Sequence, residues 1–213
     1  MIVENWMTRG VITVSPEDTL NFISEIFEKA QIRRVPVVFN HKVVGIVTDR
    51  DVRSAIPSRF YLPRSGNGSD KYLKIRASQI MSKHVLTVCP TDTIERAALL
   101  MHDYKIGGLP VITDDRLIGI ITEQNVFEAL IELCGARLDI TRLSLIIDER
   151  PGGIKEVTDI IRRHLGRIIS LLMTKHKMPP GKTEVSLRID GGQMDEIIFE
   201  LEKRYGDILV HKN

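Results

Sequence analysis

GIVTDRDV at residues 45–52 returns as GIITEQNV at residues 119–126. An eight-residue echo is weak evidence alone, so its reach decides the reading. Laying the chain against itself at an offset of 74 residues extends the match over 7–54 and 81–128, with fourteen identities in 48 positions and no gap. Met7 meets Met81, Pro16 meets Pro90, Pro36-Val37 meet Pro110-Val111, and Gly45, Ile46 and Thr48 meet Gly119, Ile120 and Thr122. Self-similarity at a fixed period marks a duplicated structural unit.

Each copy has one order of elements. A short apolar strand, Val11–Val14 or Val85–Val88, ends at a proline. A helix follows, opening on Pro-Glu-Asp at 16–18 or Pro-Thr-Asp at 90–92, where acids suit the positive end of the helix dipole. Leu20, Ile23, Ile26, Phe27 and Ala30 recur at helical spacing. VPVVFNHKVVGIV then predicts a hairpin turning at Asn40-His41, and LPVITDDRLIGII one turning at Asp114-Asp115. A second helix begins after Thr48 or Thr122. One β-α-β-β-α unit buries too little surface to stand alone, and two can close a core together.

The rest of the composition narrows the class. The chain has 213 residues, 43% hydrophobic and 27% charged, an ordinary globular balance. A net charge of +2 gives no general reason for nucleic-acid or membrane binding. Cys89 and Cys134 stand apart, which excludes a disulfide framework and suits a reducing compartment. No stretch has the length and apolarity of a membrane span, and the first residues, MIVENWMTRG, do not read as a signal peptide, so a cytoplasmic protein is expected. The six histidines form no metal-ligand spacing, and neither a nucleophile elbow nor a P-loop occurs. No catalytic residue and no metal are expected, and the chain is read as a non-enzyme.

Two readings fit Thr48 and Asp51. In the first they form a capping box, with Thr122 and Asn125 a poorer version of it. In the second, the helix mouth and the threonine hydroxyl attract phosphate while the Asp51 carboxylate accepts from two sugar hydroxyls. Ile12, Val35, Leu86 and Leu109 could then border an apolar slot for a purine.

The order strand–Pro–helix, then IxxVPV or IxxLPV, then G-h-h-T-x-x-D/N, twice over, resembles a tandem pair of CBS domains, a Bateman module. The resemblance covers about 1–134. It implies a non-enzymatic regulatory module that takes AMP, ADP or ATP, and in some members NAD or S-adenosylmethionine. It implies Asp51 on ribose, Thr48 near phosphate, and sites completed across the two copies. One site would combine Thr48 and Asp51 with Ile106, Gly107, Gly108, Ser82, Lys83 and Leu86. The other would combine Thr122 and Asn125 with Ile32, Arg33, Arg34, Thr8 and Ile12. The second lacks a carboxylate but has two arginines, so it is expected either to prefer polyphosphate or to stay empty.

After Cys134-Gly135 the repeat stops. Strand candidates at 141–148, 167–176, 184–190 and 207–211 alternate with helices after Gly153 and after Gly191-Gly192, and Gly166 reads as the stop of the first helix. The order β-α-β-β-α-β is ferredoxin-like. Glu149-Arg150-Pro151-Gly152-Gly153-Ile154 resembles the ligand loop of an ACT domain over about 139–213. That resemblance implies amino-acid capture by Arg150, Gly152 and Gly153. Ile168 stands where such domains often carry an asparagine. The run Arg162-Arg163-His164, with Arg167, reads as a solvated face or, in the rival reading, a nucleic-acid patch.

The expected fold class is therefore α/β (α+β), with two repeats as a pseudo-twofold module and a ferredoxin-like domain. The expected divisions are 1–56, a connector at 57–78, 79–134 and 139–213. The order CBS–CBS–ACT resembles the AcuB family of acetoin-utilisation proteins. That implies adenine-nucleotide sensing in acetoin or related carbon metabolism, a homodimer, and an unspecified downstream protein. An interaction scaffold with vestigial sites and an amino-acid sensor are the alternatives.

Overall fold

The computed structural model describes residues 1–55 and 74–211. Most of the expected connector, with Arg59, Arg64 and Lys71, lies outside the described residues. The chain divides into two compact units, Met1–Phe127 and Glu128–Asn213.

Each repeat builds a helix, a hairpin and a second helix, and the second helix of repeat two spans the boundary at Phe127. Repeat one has α1 (Leu20–Ala30), β1 (Arg34–Phe39), β2 (Lys42–Thr48) and α2 (Asp49–Ala55). A short helix α3 (Ala77–Ile80) precedes repeat two, which has α4 (Ile94–Tyr104), β3 (Gly108–Thr113), β4 (Arg116–Thr122) and α5 (Glu123–Cys134). The hairpins turn where expected. Asn40 and His41 have φ of 48° and 65°, and Asp114 and Asp115 have 48° and 62°. Two left-handed residues match the right-handed twist of the flanking strands, and Asn and Asp tolerate that conformation best among residues with a Cβ.

The first helices start later than expected. Thr19 caps α1 through the Phe22 amide, and Thr93 caps α4 through the Arg96 amide. Asp18 and Asp92 instead accept from the amides of Ser15 and Cys89, making a separate turn before each helix. Competition by short polar side chains for nearby amides is what displaces the start.

The expected strands Val11–Val14 and Val85–Val88 shrink to single bridges, Val14 to Val37 and Val88 to Val111. The cause is an exchange. Thr8 pairs with Ile120 of the second hairpin, and Ser82 pairs with Ile46 of the first. Each lead-in thus crosses to the other copy and touches its own hairpin only as it returns. Val3, fully buried, donates its amide to the Asp92 carbonyl. Residues 75–81 do the converse: Ile75, Ala77, Ile80 and Met81 pack into the first repeat's core of Leu20, Ile23, Val35, Val37 and Val47. The expected boundary near residue 78 therefore cuts through that core.

The second unit has β5 (Thr141–Asp148), α6 (Gly153–Arg163), β6 (Arg167–Thr174), β7 (Lys182–Asp190), α7 (Met194–Tyr205) and β8 (Leu209–His211). Its sheet order is β6-β7-β5-β8, all antiparallel, the arrangement expected of a ferredoxin-like fold. Strand ends differ from expectation by about two residues. Leu143, Leu145, Ile147, Val185, Leu187 and Ile189 form the sheet side of a core closed by Val157, Ile161, Ile197 and Leu201. Gly166 is not the left-handed stop of α6; Leu165 takes φ 62° instead. Gly166 is needed for closeness, because a Cβ there would meet Ile161 at 2.8 Å and Ile197 at 2.9 Å.

Candidate functional site

Thr48 ends β2 and Asp51 lies in the first turn of α2. The Asp51 Oδ2 accepts from the Thr48 amide and hydroxyl, both at 2.7 Å, and the Asp51 amide donates to the Thr48 Oγ1 at 3.3 Å. Asn125 repeats the set: its Oδ1 accepts from the Thr122 amide at 2.9 Å and hydroxyl at 2.8 Å, and its amide donates to Thr122 Oγ1 at 3.4 Å. The asparagine version makes the same bonds at slightly longer distances and without the charge. An amide oxygen accepts in the same directions as a carboxylate oxygen, so the pattern of bonds is kept while the charge is lost. Among the described residues the second oxygen of Asp51, Oδ1, has no hydrogen-bond partner. The first turn of α2 therefore carries a half-buried carboxylate with an open acceptor oxygen.

The lead-in exchange decides what stands beside each helix mouth. Ser82 lies on β2 two residues from Thr48, exchanging both backbone hydrogen bonds with Ile46 at 3.0 and 3.1 Å. Thr8 lies on β4 two residues from Thr122, bonded to Ile120 at 2.9 and 3.0 Å. Lys83 and Ile12 are exposed beyond them, and Leu86 is half-buried. Val35 and Leu109 are fully buried in the cores, so they border no open slot; their alternation places them on the packed face of the hairpin.

Arg34 and Gly108 occupy matching positions in the two hairpins, opposite Thr48 and Thr122. The Arg34 side chain crosses to the other copy. A Cβ on Gly107 or Gly108 would run into its guanidinium. Asp49 and Glu123, themselves repeat mates, act on the same guanidinium and hold its proton, while burial pulls its pKa below the ordinary arginine value and outweighs them. Arg33 contributes its carbonyl to the Asp49 amide at 3.0 Å, and Gly107 does the same for Glu123 at 3.1 Å. Ile32 and Ile106 are half-buried just before these turns. Expected members of two sites thus meet at one seam, where large residues of one copy fill space left by glycines of the other. The sequence held that signal in the alignment of Arg33-Arg34 with Gly107-Gly108.

In the second unit Gly152 takes φ 84°, a conformation that favours glycine, and caps α6. Arg150 is engaged: Glu156 accepts from it at 2.7 and 2.8 Å. Arg204 and Tyr205 donate to the same carboxylate, and the arginines hold Glu156 below the usual carboxylate range. The basic run is also neutralised. Arg162 pairs with Asp159, Arg163 and His164 with Glu200, and Arg167 with Asp190. Among the described residues no group of His, Cys, Asp and Glu could hold a metal ion, and no helix is long and apolar enough to cross a membrane.

The CBS domain model matches residues 3–58 and 77–132. The inosine-5'-monophosphate dehydrogenase of Korarchaeum cryptofilum is 38% identical over 125 residues, 58% of this chain; the chain spans only 23% of that enzyme's length. A Vibrio cholerae structure named for acetoin utilization (AcuB) is 32% identical, with a TM-score of 0.55 over 64% of this chain and 95% of that one. The structure of CBSX2 in complex with AMP is 25% identical, with a TM-score of 0.52 over 61% of this chain and 96% of that one. Repeat, exchanged lead-ins and family match agree: this chain belongs to the CBS domain family, as a tandem pair followed by a ferredoxin-like unit.

Proposed function

We propose that the chain is a non-enzymatic regulatory protein that senses an adenine nucleotide at the mouths of α2 and α5. The observation that carries this reading is the crossing of the lead-ins, which brings Ser82 beside Thr48 and Asp51, and Thr8 beside Thr122 and Asn125. A ligand touching both copies gains affinity from their relative placement, and can therefore bias it. The AMP complex of the related CBSX2 structure supports the choice of ligand. The Asp51 carboxylate, with Oδ1 open, would accept from ribose hydroxyls. Arg34 would attract phosphate near Gly107 and Gly108. AMP, ADP and ATP are the first ligands to try, with NAD and S-adenosylmethionine next.

The ferredoxin-like unit is read as an ACT domain that carries the ligand state onward, across a homodimer in the simplest arrangement, to a downstream protein. The resemblance to the Vibrio cholerae protein supports a place in acetoin or related carbon metabolism. Amino-acid capture by Arg150, Gly152 and Gly153 is the weaker part of the reading, since Glu156 already holds Arg150.

The rival is an interaction scaffold whose caps only cap, and it draws on the engagement of the Thr48 hydroxyl by Asp51. Calorimetric titration of the full chain with AMP and ATP separates the two. Saturable binding that weakens in Asp51→Asn supports sensing. Absence of heat with every adenine ligand leaves the scaffold.

A further inference from the structure

The four-stranded sheet of the second unit has two unlike faces. One is buried under α6 and α7. The other carries Arg142 and Ser144 from β5, Glu184, Ser186 and Arg188 from β7, and Ser170 and Leu172 from β6, as the strand registers require. The register sets Arg142 directly opposite Arg188. Like charges in that position repel. Elsewhere on this unit basic side chains have acids: Arg167 has Asp190, Lys182 has Asp148, and Arg204 has Glu156. Among the described residues neither Arg142 nor Arg188 has a carboxylate partner.

The two arginines face a cavity of about 470 Å³. Arg142 is aimed by its Nε, which donates to Ser186 Oγ at 3.0 Å, and Ser186 is held in turn by Ser144 at 2.9 Å. The Nη1 of Arg188 is buried and has no hydrogen-bond partner. A buried donor left unsatisfied on a charged group is costly, and it calls for an acceptor such as an ordered water or an anion. The chain bend after α5 closes one side of the cavity, fixed by the Ser170 hydroxyl donating to the Cys134 carbonyl at 3.0 Å.

We propose that this cavity binds a small metabolite through one oxyanion head, a carboxylate or a phosphate. Two guanidinium forks on one surface match such a head in geometry as well as charge. The anion would supply the acceptor that Arg188 lacks and screen the two arginines from each other. Leu172 and Ala136 offer an apolar wall to a body of a few carbons. Glu184, also at the cavity, rejects a second negative charge at that end. A cavity of this volume is in the range of small-molecule sites. None of its lining residues belongs to the Arg150–Gly153 loop or to the CBS-matched segments 3–58 and 77–132, so the site stands independently of nucleotide sensing.

The test titrates the full chain with inorganic phosphate, acetate and lactate, against chloride at equal ionic strength, following the melting temperature and the heat of binding. At least one oxyanion should raise the melting temperature saturably beyond chloride, and the better of phosphate and the carboxylates identifies the head. Arg142→Gln and Arg188→Gln should each weaken that binding by about tenfold or more, as loss of a charge-assisted pair does. Arg162→Gln, away from the cavity, should leave it unchanged. Without ligand, either arginine variant should melt no lower than wild type, because it removes a repulsive neighbour. If a variant fails to fold, side-chain guanidinium NMR of the wild type must show shifts at Arg142 and Arg188 on titration. No response beyond chloride, or a response that persists in both variants, overturns the proposal.

Discussion

The thioether of Met81 lies where a Cβ on Gly45 would have to be. Met7 and Gly119 repeat the relationship, with the Sδ and Cγ of one copy's methionine set on a bare Cα of the other. The glycine that opens each octet is therefore the socket for the other copy's lead-in. Gly45→Ala should destabilise the protein by about 1–3 kcal/mol through overpacking. Urea denaturation would show it, and Met81→Ala in the same chain should recover part of the loss. Simple addition of the two effects would mean the residues do not share that space.

Asp51→Asn separates capping from sensing. Asn125 already shows a side-chain amide oxygen accepting both bonds from its threonine, with the backbone amide making the third. The melting temperature should therefore hold near the wild-type value, while Asp51→Ala loses the cap and about 1 kcal/mol. On the proposed function, AMP affinity should fall by about tenfold in Asp51→Asn, since a charged acceptor gives way to a neutral one. Calorimetry on both variants checks the two effects separately.

Arg34→Ala should lower ATP affinity more than AMP affinity, because the guanidinium acts on phosphates and each added phosphate gives it more to hold. The same change leaves Asp49 and Glu123 facing each other across the seam without their shared cation. Comparing nucleotide titrations in Arg34→Ala and Arg34→Lys distinguishes charge from the planar fork.

His164 should make stability depend on pH. The Glu200 carboxylate, and less strongly Gln193, hold its pKa above the ordinary histidine value. A raised folded pKa stabilises the fold fully below the unfolded value of about 6.5, and that contribution is lost as pH rises through the folded pKa. Glu200, held low by His164 and Arg163, contributes above the unfolded carboxylate value and loses it as pH falls through its own folded pKa. His164→Gln should therefore cost more stability at pH about 5.5 than in alkaline solution. Urea denaturation at the two pH values checks the sign.

The duplication, both hairpin turns and the β-α-β-β-α-β order of the last third were legible because each rests on short-range chemistry. Asn40-His41 and Asp114-Asp115 announce their turns by residue type, and Val185, Leu187 and Ile189 announce a one-sided strand by alternation. The helix starts were misplaced by a few residues because Asp18 and Asp92 could serve either the helix or the turn before it. Only the folded arrangement of neighbouring amides chooses between them.

By itself the sequence determined that there are two copies of one unit, what elements each copy holds, and that Thr48-Asp51 and Thr122-Asn125 stand at helix mouths. Local propensity and hydrophobic period are properties of residues close together in the chain. The tertiary structure alone decided that Met81 seats on Gly45, that Arg34 fills the space over Gly107 and Gly108, and that Arg142 opposes Arg188. Those contacts join residues 36, 73, 74 and 46 positions apart. Register and exchange are settled by which packing buries most apolar surface with fewest unpaired groups, a comparison no short stretch of chain can make.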